Sequence, residues 1–406
     1  MLFRKVSTIF MPQTHSVYPD IIISNRHERR LLKGHLWAFS NELKEIRKNI
    51  SAGQIVRLIR EFDNKPFALA FYHPNSLIAA RIITRDVTKE IGEAFFRSRI
   101  ERAAARRAFI LTERNAARIV HGESDFLPGL IVERYNDILT FQITSAGMEL
   151  QKELILSLLK DIFSPKAIIE KNKSHLRKLE GLPELESVVF GSETDTVIHD
   201  GAGTKFAVSL LKGQKTGFYL DQMENRTAFA RYVKQNDRIL DLFTNEGGFA
   251  LNAAAKGANV IAVDASAEAL EALQKNAELN AVAERVQAHN SDCFDFLKDA
   301  NEKFDSVILD PPSLLRSKKE LSTAKKAYFT LHKNAMKCTT PEGILATTSC
   351  SHHFTRDLFL ETIRDAAHEA GRAVTILEER GAGADHPVLA MMPETEYLKM
   401  FILRVH

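Results

Sequence analysis

The stretch ATTSCSHHF, residues 346–354, carries a cysteine where an apolar strand runs into polar residues. A cysteine inside an element usually packs as a small hydrophobe; Cys293 and Cys338 are read that way. Cys350 differs because of what the rest of the chain brings near it. In ILDPPSLL, Asp310 stands directly before Pro311 and Pro312. Proline cannot continue a central strand, so the backbone must leave the sheet there with Asp310 at its rim. If the strand ending at Asp310 neighbours the strand leading to Cys350, carboxyl and thiol face one cleft.

Further acids recur at strand ends. LDLFTNEGGFALNAAAKGA contains Asp241 at the close of an apolar run and then the adjacent glycines Gly247 and Gly248. Glycines at a strand-to-helix turn permit close backbone approach to a ligand. Asp264 comes 23 residues after Asp241, a spacing at which an acidic side chain can accept from both hydroxyls of a ribose. Asp292, in SDCFDFL, closes the third strand and is placed to accept from an adenine amino group. The bland alternative is that each aspartate caps a helix. Three acids at three successive strand ends suit an adenosine cofactor with a cationic centre, S-adenosylmethionine. The G-x-G-x-x-G spacing of dinucleotide sites is missing from TNEGGFA, and no G-x-x-x-x-G-K-[ST] occurs.

Beside such a cofactor a thiol has a defined use. Carbon 5 of a pyrimidine is barely nucleophilic; attack of a thiolate on carbon 6 makes it enamine-like, so that it can take a methyl group, lose its proton and expel the thiolate. A free thiol has a pKa of about 8.5, so the site must favour the thiolate; His352, His353 or cofactor charge are the candidates. Asp310 is expected to hydrogen-bond ring N3 or the exocyclic amine of a cytosine.

These groups need a scaffold. From about residue 236, strands alternate with helices (RILDLF, VIAVD, VQAHN, DSVILD, GILATTS, AVTILEE, YLKMFILRV), the texture of a doubly wound sheet whose ligands sit at the strands' carboxyl ends. Residues 20–86 give short β-type runs between Gly, Asn and Pro signals, a small all-β module. Residues 90–110 read as a helix. Residues 120–190 form an α+β unit, and TVIHDGAGTKFAVSL a hairpin turning near Asp200 and Gly201. The expected boundaries are an N-terminal extension over 1–14, the β module over 15–92, the α+β domain over 93–190 and the α/β domain over 191–406.

Composition agrees with several domains. The chain has 406 residues, 45% hydrophobic and 26% charged, without a repeat or low-complexity tract. No apolar run approaches the roughly 20 residues of a membrane span. The start shows no secretory signal, and three cysteines without ligand spacing indicate neither a metal site nor a disulfide framework. A reducing cytoplasm is expected. Residues 1–90 hold fifteen Lys/Arg against eight Asp/Glu, a net +7 that leaves −4 for the remainder. A basic end suggests a polyanion; on charge alone a merely solvated surface is equally open.

The ordered series GHLWAFSNEL, SDFLPGLIVERY, KGQKTGFYLDQMENR, LDLFTNEGGFAL, ILDPPSL, TTSCSHH and GADHPVL…PETEYLKMF resembles the ribosomal large subunit methyltransferase I family, the 23S ribosomal RNA 5-methylcytosine methyltransferases. The likeness runs over nearly the whole chain after the first dozen residues. It implies a PUA-like RNA-binding module, a small strand-strand-helix-strand-strand domain and a Rossmann-like class I methyltransferase domain with a seven-stranded, mostly parallel sheet, using S-adenosylmethionine. Cys350 then takes the nucleophile role and Asp310 the acidic one beside it. Asp264 and Asp292 match the ribose and adenine positions, and Asp241, Phe243 and Gly247 belong to the cofactor loop. The stretch from Gln214 to Arg226, with Gln214, Thr216, Tyr219, Asp221 and Gln222, closes over the methionine end. Arg26, Arg29, Arg30, Lys33 and Trp37 of the basic module are expected on RNA. The implied partner is 23S rRNA or an assembling large subunit, with no membrane; a homodimer stays open. Two departures stand out: Asn245-Glu246 where relatives often carry Tyr-Thr, and Ser313 where another branch of RNA 5-methylcytosine enzymes has a second cysteine. The loop around His386 has no derivable role beyond packing on the sheet. Two rival functions are a ring-nitrogen or exocyclic-amine RNA methyltransferase, which needs no thiol, and a non-catalytic RNA-binding or ribosome-assembly protein.

Overall fold

Period-two alternation in runs such as IVRLIR, where buried Val56 and Leu58 alternate with half-exposed Ile55 and Arg57, makes the N-terminal strands pack one face inward. The computed structural model describes residues 18–211, 218–300, 302–315 and 318–406, and the chain forms two units, one ending at Glu90 and one beginning at Ile91. In the first, five strands pair in the order Asp20–Ile23, Ile55–Arg60, Pro66–Tyr72, Ile78–Thr84, Trp37–Phe39. The all-β expectation holds except for a short α-helix, Glu28–Leu32, and a single 3-10 turn, Ser40–Glu42.

The second unit starts with helix Glu93–Arg107, which buries Phe96, Ile100, Ala103 and Arg107. Next in the chain is a five-stranded sheet, in the order Leu185–Phe190, Ala167–Asn172, Ile138–Ile143, Leu130–Tyr135, Ala116–His121. Ile138–Ile143 and Ala167–Asn172 run parallel through the crossover helix Lys152–Phe163; the other pairs are antiparallel. Ala116–His121 adds a fifth strand to the four expected. The hairpin pairs Asp195–His199 with Lys205–Ser209. It turns where expected, with Gly201 at φ 84° and the Asp200 carboxylate accepting from the N–H groups of Ala202 and Thr204.

The last sheet has seven strands: Arg238–Leu242, Asn259–Asp264, Val286–Asn290, Phe304–Leu309, Thr339–Ser349, Val374–Arg380 and Lys399–Val405. In space their order is third, second, first, fourth, fifth, seventh, sixth. Only the seventh runs antiparallel to its neighbours. Both faces are apolar, as a parallel sheet covered by helices requires: Ile239 and Ile308 join one core, Leu240, Leu242 and Leu309 the other. Register does the positioning. Leu242 pairs with Val263 and Leu309, Leu309 with Thr347, and Ser349 with Lys399. The first, second, fourth and fifth strands therefore end level, and the loops leaving their carboxyl ends meet along one edge.

Candidate active site

The turn after the first strand is wound by alternating left-handed residues, Phe243 at φ 62°, Asn245 at 50° and Gly247 at 85°. Alternation of this kind turns successive backbone N–H groups into a concavity, and non-glycine residues in that region concentrate at functional sites. The N–H of Asn245 donates to Asp264 Oδ2 at 2.9 Å. Asp241 lies underneath: 1% exposed, its Oδ2 accepts from Thr244 Oγ1 at 2.6 Å and from the N–H of Ala250 at 3.0 Å. Burial pushes its carboxyl up to about 7, against the bond from Thr244. Asp241 thus ties strand, turn and following helix together; neither it nor Gly247 lines the cavity above.

That cavity, about 400 Å³, is lined by Tyr219, Asp221, Gln222, Arg226, Phe243, Asn245, Gly248, Asp264, Asp292, Asp310, Pro311, Ser313, Cys350 and others. Its volume falls in the range of small-molecule sites. Asp264 accepts backbone N–H groups on both oxygens, from Asn245 and Ser266, which fixes the carboxylate at the end of its strand. Asp292 is a genuine helix cap, accepting from the N–H groups of Phe294 and Asp295 through Oδ1. The capping and ligand readings are therefore compatible, because only one of its oxygens is committed. Gln214 and Thr216 lie outside the described residues; Tyr219, Asp221 and Gln222 reach the cavity.

Asp310 comes directly after the fourth strand, and the pairing of Leu309 with Thr347 brings it beside Thr348. The Thr348 hydroxyl and Gln222 Nε2 both donate to its Oδ1. Burial pushes the Asp310 carboxyl up, while the bond from Thr348 and the charge of Arg226 oppose the shift. Gln222 is itself held by Asn225, whose Nδ2 donates to Gln222 Oε1 at 2.7 Å.

Cys350 is half-exposed to the cavity, while Ser349 and Ser351 on either side are fully buried. Tyr328 donates its hydroxyl to Ser349 Oγ at 2.9 Å. Ser351 Oγ lies 3.0 Å from Ser313 Oγ and accepts from the N–H of Leu315. The serines face inward and anchor the turn, so the residue between them faces out. Ser313, at the place of a second cysteine elsewhere, is part of that anchor. His352 and His353, the expected helpers of the thiolate, are exposed, and the His352 ring is within 3.1 Å of the Glu396 carbonyl. A buried lysine stands there instead: Lys399, 8% exposed, donates through Nζ to the carbonyls of Ser351 at 2.7 Å and Tyr397 at 2.9 Å. Cys293 is buried, donates weakly to the Val263 carbonyl and has its thiol pushed up to about 12 by burial, as suits a packing residue.

Arg226 has more to do than close the stretch that begins at Gln214. It is fully buried against Phe206 and Phe218, its guanidinium 4.6 Å from the Phe218 ring, with Nε and Nη1 lacking a hydrogen-bond partner. The charges of Asp310, Asp221, Asp200 and Glu246 act on it, but buried N–H groups without an acceptor are costly, and on a cavity wall they are free to donate to an acceptor on a ligand. The motif that ends in Arg226 does not reveal this role, because its neighbours come from distant segments.

The loop around His386 does not simply pack on its own sheet. Asp385 Oδ2 accepts from the N–H of Arg118 at 2.9 Å and pairs with Arg114 at 3.0 Å, its carbonyl accepts from Arg107, and its Oδ1 contacts His386 Nδ1 at 2.8 Å. Burial disfavours the Asp385 carboxylate, yet His386 and Arg114 outweigh it and hold its pKa well below the usual range. The loop is thereby clamped to strand Ala116–His121 and helix Glu93–Arg107 of the preceding sheet layer.

In the first unit, Arg26, Arg29 and Lys33 are exposed and Trp37 is half-buried with Arg81 over its ring at 5.5 Å. Arg30 is committed elsewhere: Nη2 donates to both Glu42 oxygens at 2.8 Å and to the Trp37 carbonyl.

Comparison with known proteins sharpens the assignment. A PUA-like domain model matches residues 21–85 and a TRM5/TYW2 methyltransferase domain model matches residues 197–330. Among solved structures, a protein from Streptococcus mutans assigned as a SAM-dependent methyltransferase superposes with a TM-score of 0.81 at 19% identity, over 95% of this chain and all of that one; at that identity the likeness establishes the fold. The ribosomal RNA large subunit methyltransferase I of Klebsiella pneumoniae (strain 342) is 36% identical over 401 residues, 97% of this chain and 100% of the relative. The enzyme of the same name from Escherichia coli O157:H7 is 35% identical over 393 residues, 95% and 99% of the two chains. No helix among the described residues is long and apolar enough to cross a membrane. With end-to-end identity at this level and a fold and cavity that agree with it, the chain belongs to the ribosomal RNA large subunit methyltransferase I family.

Proposed function

We propose that this protein transfers a methyl group from S-adenosylmethionine to carbon 5 of a cytosine in 23S rRNA, with Cys350 as the attacking nucleophile. The observation that carries the reading is that Cys350, held outward between two anchored serines, opens into the cavity shared by Asp264, Asp292 and Asp310. Asp264 would hold the ribose hydroxyls, Asp292 the adenine amine through its uncommitted oxygen, and Arg226 the carboxylate of the methionine end. The cofactor supplies an electrophilic methyl group on a sulfonium. Asp241 and Gly247 act from below, by shaping the turn.

The chain's own groups carry the remaining steps. The Cys350 thiolate adds to carbon 6, forming a C–S bond and pushing electron density to carbon 5. Asp310, fixed at the rim by Thr348 and Gln222, hydrogen-bonds ring N3 or the exocyclic amine and stabilises the charge that gathers on the ring. After carbon 5 is methylated and its proton lost, elimination rebuilds the ring double bond and releases the thiolate. The base must be unpaired or flipped to reach the cavity, and exposed Arg26, Arg29 and Lys33 would contribute phosphate contacts that orient the RNA. With rRNA as substrate, the reaction belongs to the cytoplasm.

The test incubates the protein with labelled cofactor and deproteinised 23S rRNA and maps the product by mass spectrometry. RNA containing 5-fluorocytosine is expected to trap a covalent adduct that Cys350→Ala abolishes. Label on a purine, or intact turnover by Cys350→Ala, would overturn the reading in favour of chemistry at a ring nitrogen or amine.

A further inference from the structure

We propose that Lys399 is a positioning residue for the nucleophile: its buried ammonium clamps the turn that carries Cys350 and holds the thiol in its ionised form. The inference rests on the reading of Cys350 as nucleophile and adds the source of its activation.

The placement comes from register. The seventh strand is antiparallel to the fifth, and Lys399, its first residue, pairs with Ser349. Nζ then donates to the carbonyl of Ser351, the residue after Cys350, at 2.7 Å and to the Tyr397 carbonyl at 2.9 Å. A lysine stem with a solvent-facing alternative would snorkel outward; this one is 8% exposed and spends its donors on the thiol's own turn. Two hydrogen bonds to carbonyls suit the ammonium, which has three donors and no lone pair to leave facing an oxygen.

Arg226 is the other cation on the cavity wall, and its charge is met by Asp310, Asp221, Asp200 and Glu246; the remaining ionisable groups around the thiol work in the opposite sense. Tyr219 and Tyr328 both feel the charge of Cys350 and that of Asp310. Each can only add negative charge, which would suppress ionisation of the sulfur. Glu396 is the acid acting on Lys399 itself, and His352 and His353 lie exposed beyond the turn. Burial lowers the Lys399 ammonium to about 8, with the charge of Cys350 pulling it back up. The lysine therefore stays protonated near neutrality, and an opposite charge favours the thiolate by one unit or more. On ionisation the thiol proton leaves to solvent through the cavity.

The experiment measures alkylation of Cys350 by iodoacetamide across pH in the full chain, with peptide mass spectrometry to separate it from Cys293 and Cys338. The wild type is expected to show an apparent pKa below the free-thiol value of about 8.5. Lys399→Met should raise it by at least about one unit and slow labelling near neutral pH about tenfold, while Lys399→Arg keeps most of the depression. A folded Lys399→Met protein with the wild-type profile overturns the proposal. So does a wild-type pKa at or above the free-thiol value, a result that needs no variant. The 5-fluorocytosine adduct separates this proposal from the reading it rests on: Lys399-dependent ionisation without any adduct would leave the lysine's role standing and remove the pyrimidine chemistry.

Discussion

Gly248 offers the sharpest probe of the cavity wall. An alanine Cβ built there would lie 2.3 Å from Arg226 Nε, 2.5 Å from Cζ and 2.8 Å from Nη2, so the guanidinium must move by about an ångström or more to restore ordinary contact. The backbone itself has no objection, since Gly248 opens helix Gly248–Ala254 in an ordinary conformation. Alanine also recovers up to about 0.8–1 kcal/mol of helix propensity. Because Nε and Nη1 make no hydrogen bond, shifting the head group breaks none there; repacking it against Phe206 and Phe218 costs about 1–3 kcal/mol, partly offset by the helix propensity. Ligand binding should suffer more. Losing a hydrogen bond between a guanidinium and a carboxylate costs about 1.5–3 kcal/mol, roughly a 10- to 150-fold weaker Kd. Isothermal titration calorimetry with S-adenosylhomocysteine measures that loss, and 5′-methylthioadenosine, which lacks the carboxylate, is the control. Gly248→Ala should weaken the first and spare the second. Equal losses for both ligands, or none for either, would refute the assignment of Arg226.

The same geometry predicts three further outcomes. Cys350→Ala should lose methyl transfer while binding S-adenosylhomocysteine as the wild type does, checked by calorimetry beside the turnover assay. Thr348→Val removes a hydroxyl that holds the Asp310 carboxyl down, so the Asp310 limb of the kcat profile should move to higher pH; an unmoved profile contradicts Asp310's part in turnover. His332 is buried, its Nε2 2.9 Å from Thr347 Oγ1 and Nδ1 without a partner, and burial lowers its pKa to about 3. The unfolded chain therefore takes up a proton below about pH 6.5 that the folded chain refuses, and taking the pH from about 7.5 to about 5 should remove about 2 kcal/mol of stability. Urea unfolding of His332→Leu should lack that component; an equal loss in both proteins would count against it.

Legibility tracked locality. Asp264, Asp292, Asp310 and Cys350 are legible because each comes at the end of a strand of a doubly wound sheet, and strand ends are visible in a run of apolar residues closed by a polar one. The structure brings all four to one cavity. Asp241 is legible as a strand-end acid, though not its place under the turn, where it accepts from Thr244 and Ala250. Lys399 and Thr348 carry no signal of their own, and Arg226 is legible only as the end of the stretch from Gln214. They reach the site through pairings between segments far apart in the chain, and one antiparallel strand decides which residue faces Ser349. Arg30 looks as available as its neighbours because Glu42, which binds it, lies twelve residues on. Strand Ala116–His121 is hidden because its short run sits between a helix and a turn, and its place is fixed by Leu130–Tyr135.

The clamp between Asp385 and Arg107, Arg114 and Arg118 has a consequence for anyone shuffling modules among these enzymes. Arg107 and Arg118 keep carboxylates of their own in Asp125 and Glu133, but a chimaera that exchanges the cofactor-binding half at the junction near residue 191 with a sequence lacking this pair would inherit either Asp385 without Arg114 or Arg114 without Asp385. An unmatched charge sealed inside destabilises by about 3–5 kcal/mol, a large share of what a typical domain has to spare. The two halves are heritable only together, and any swap has to transplant the arginines with the loop they grip.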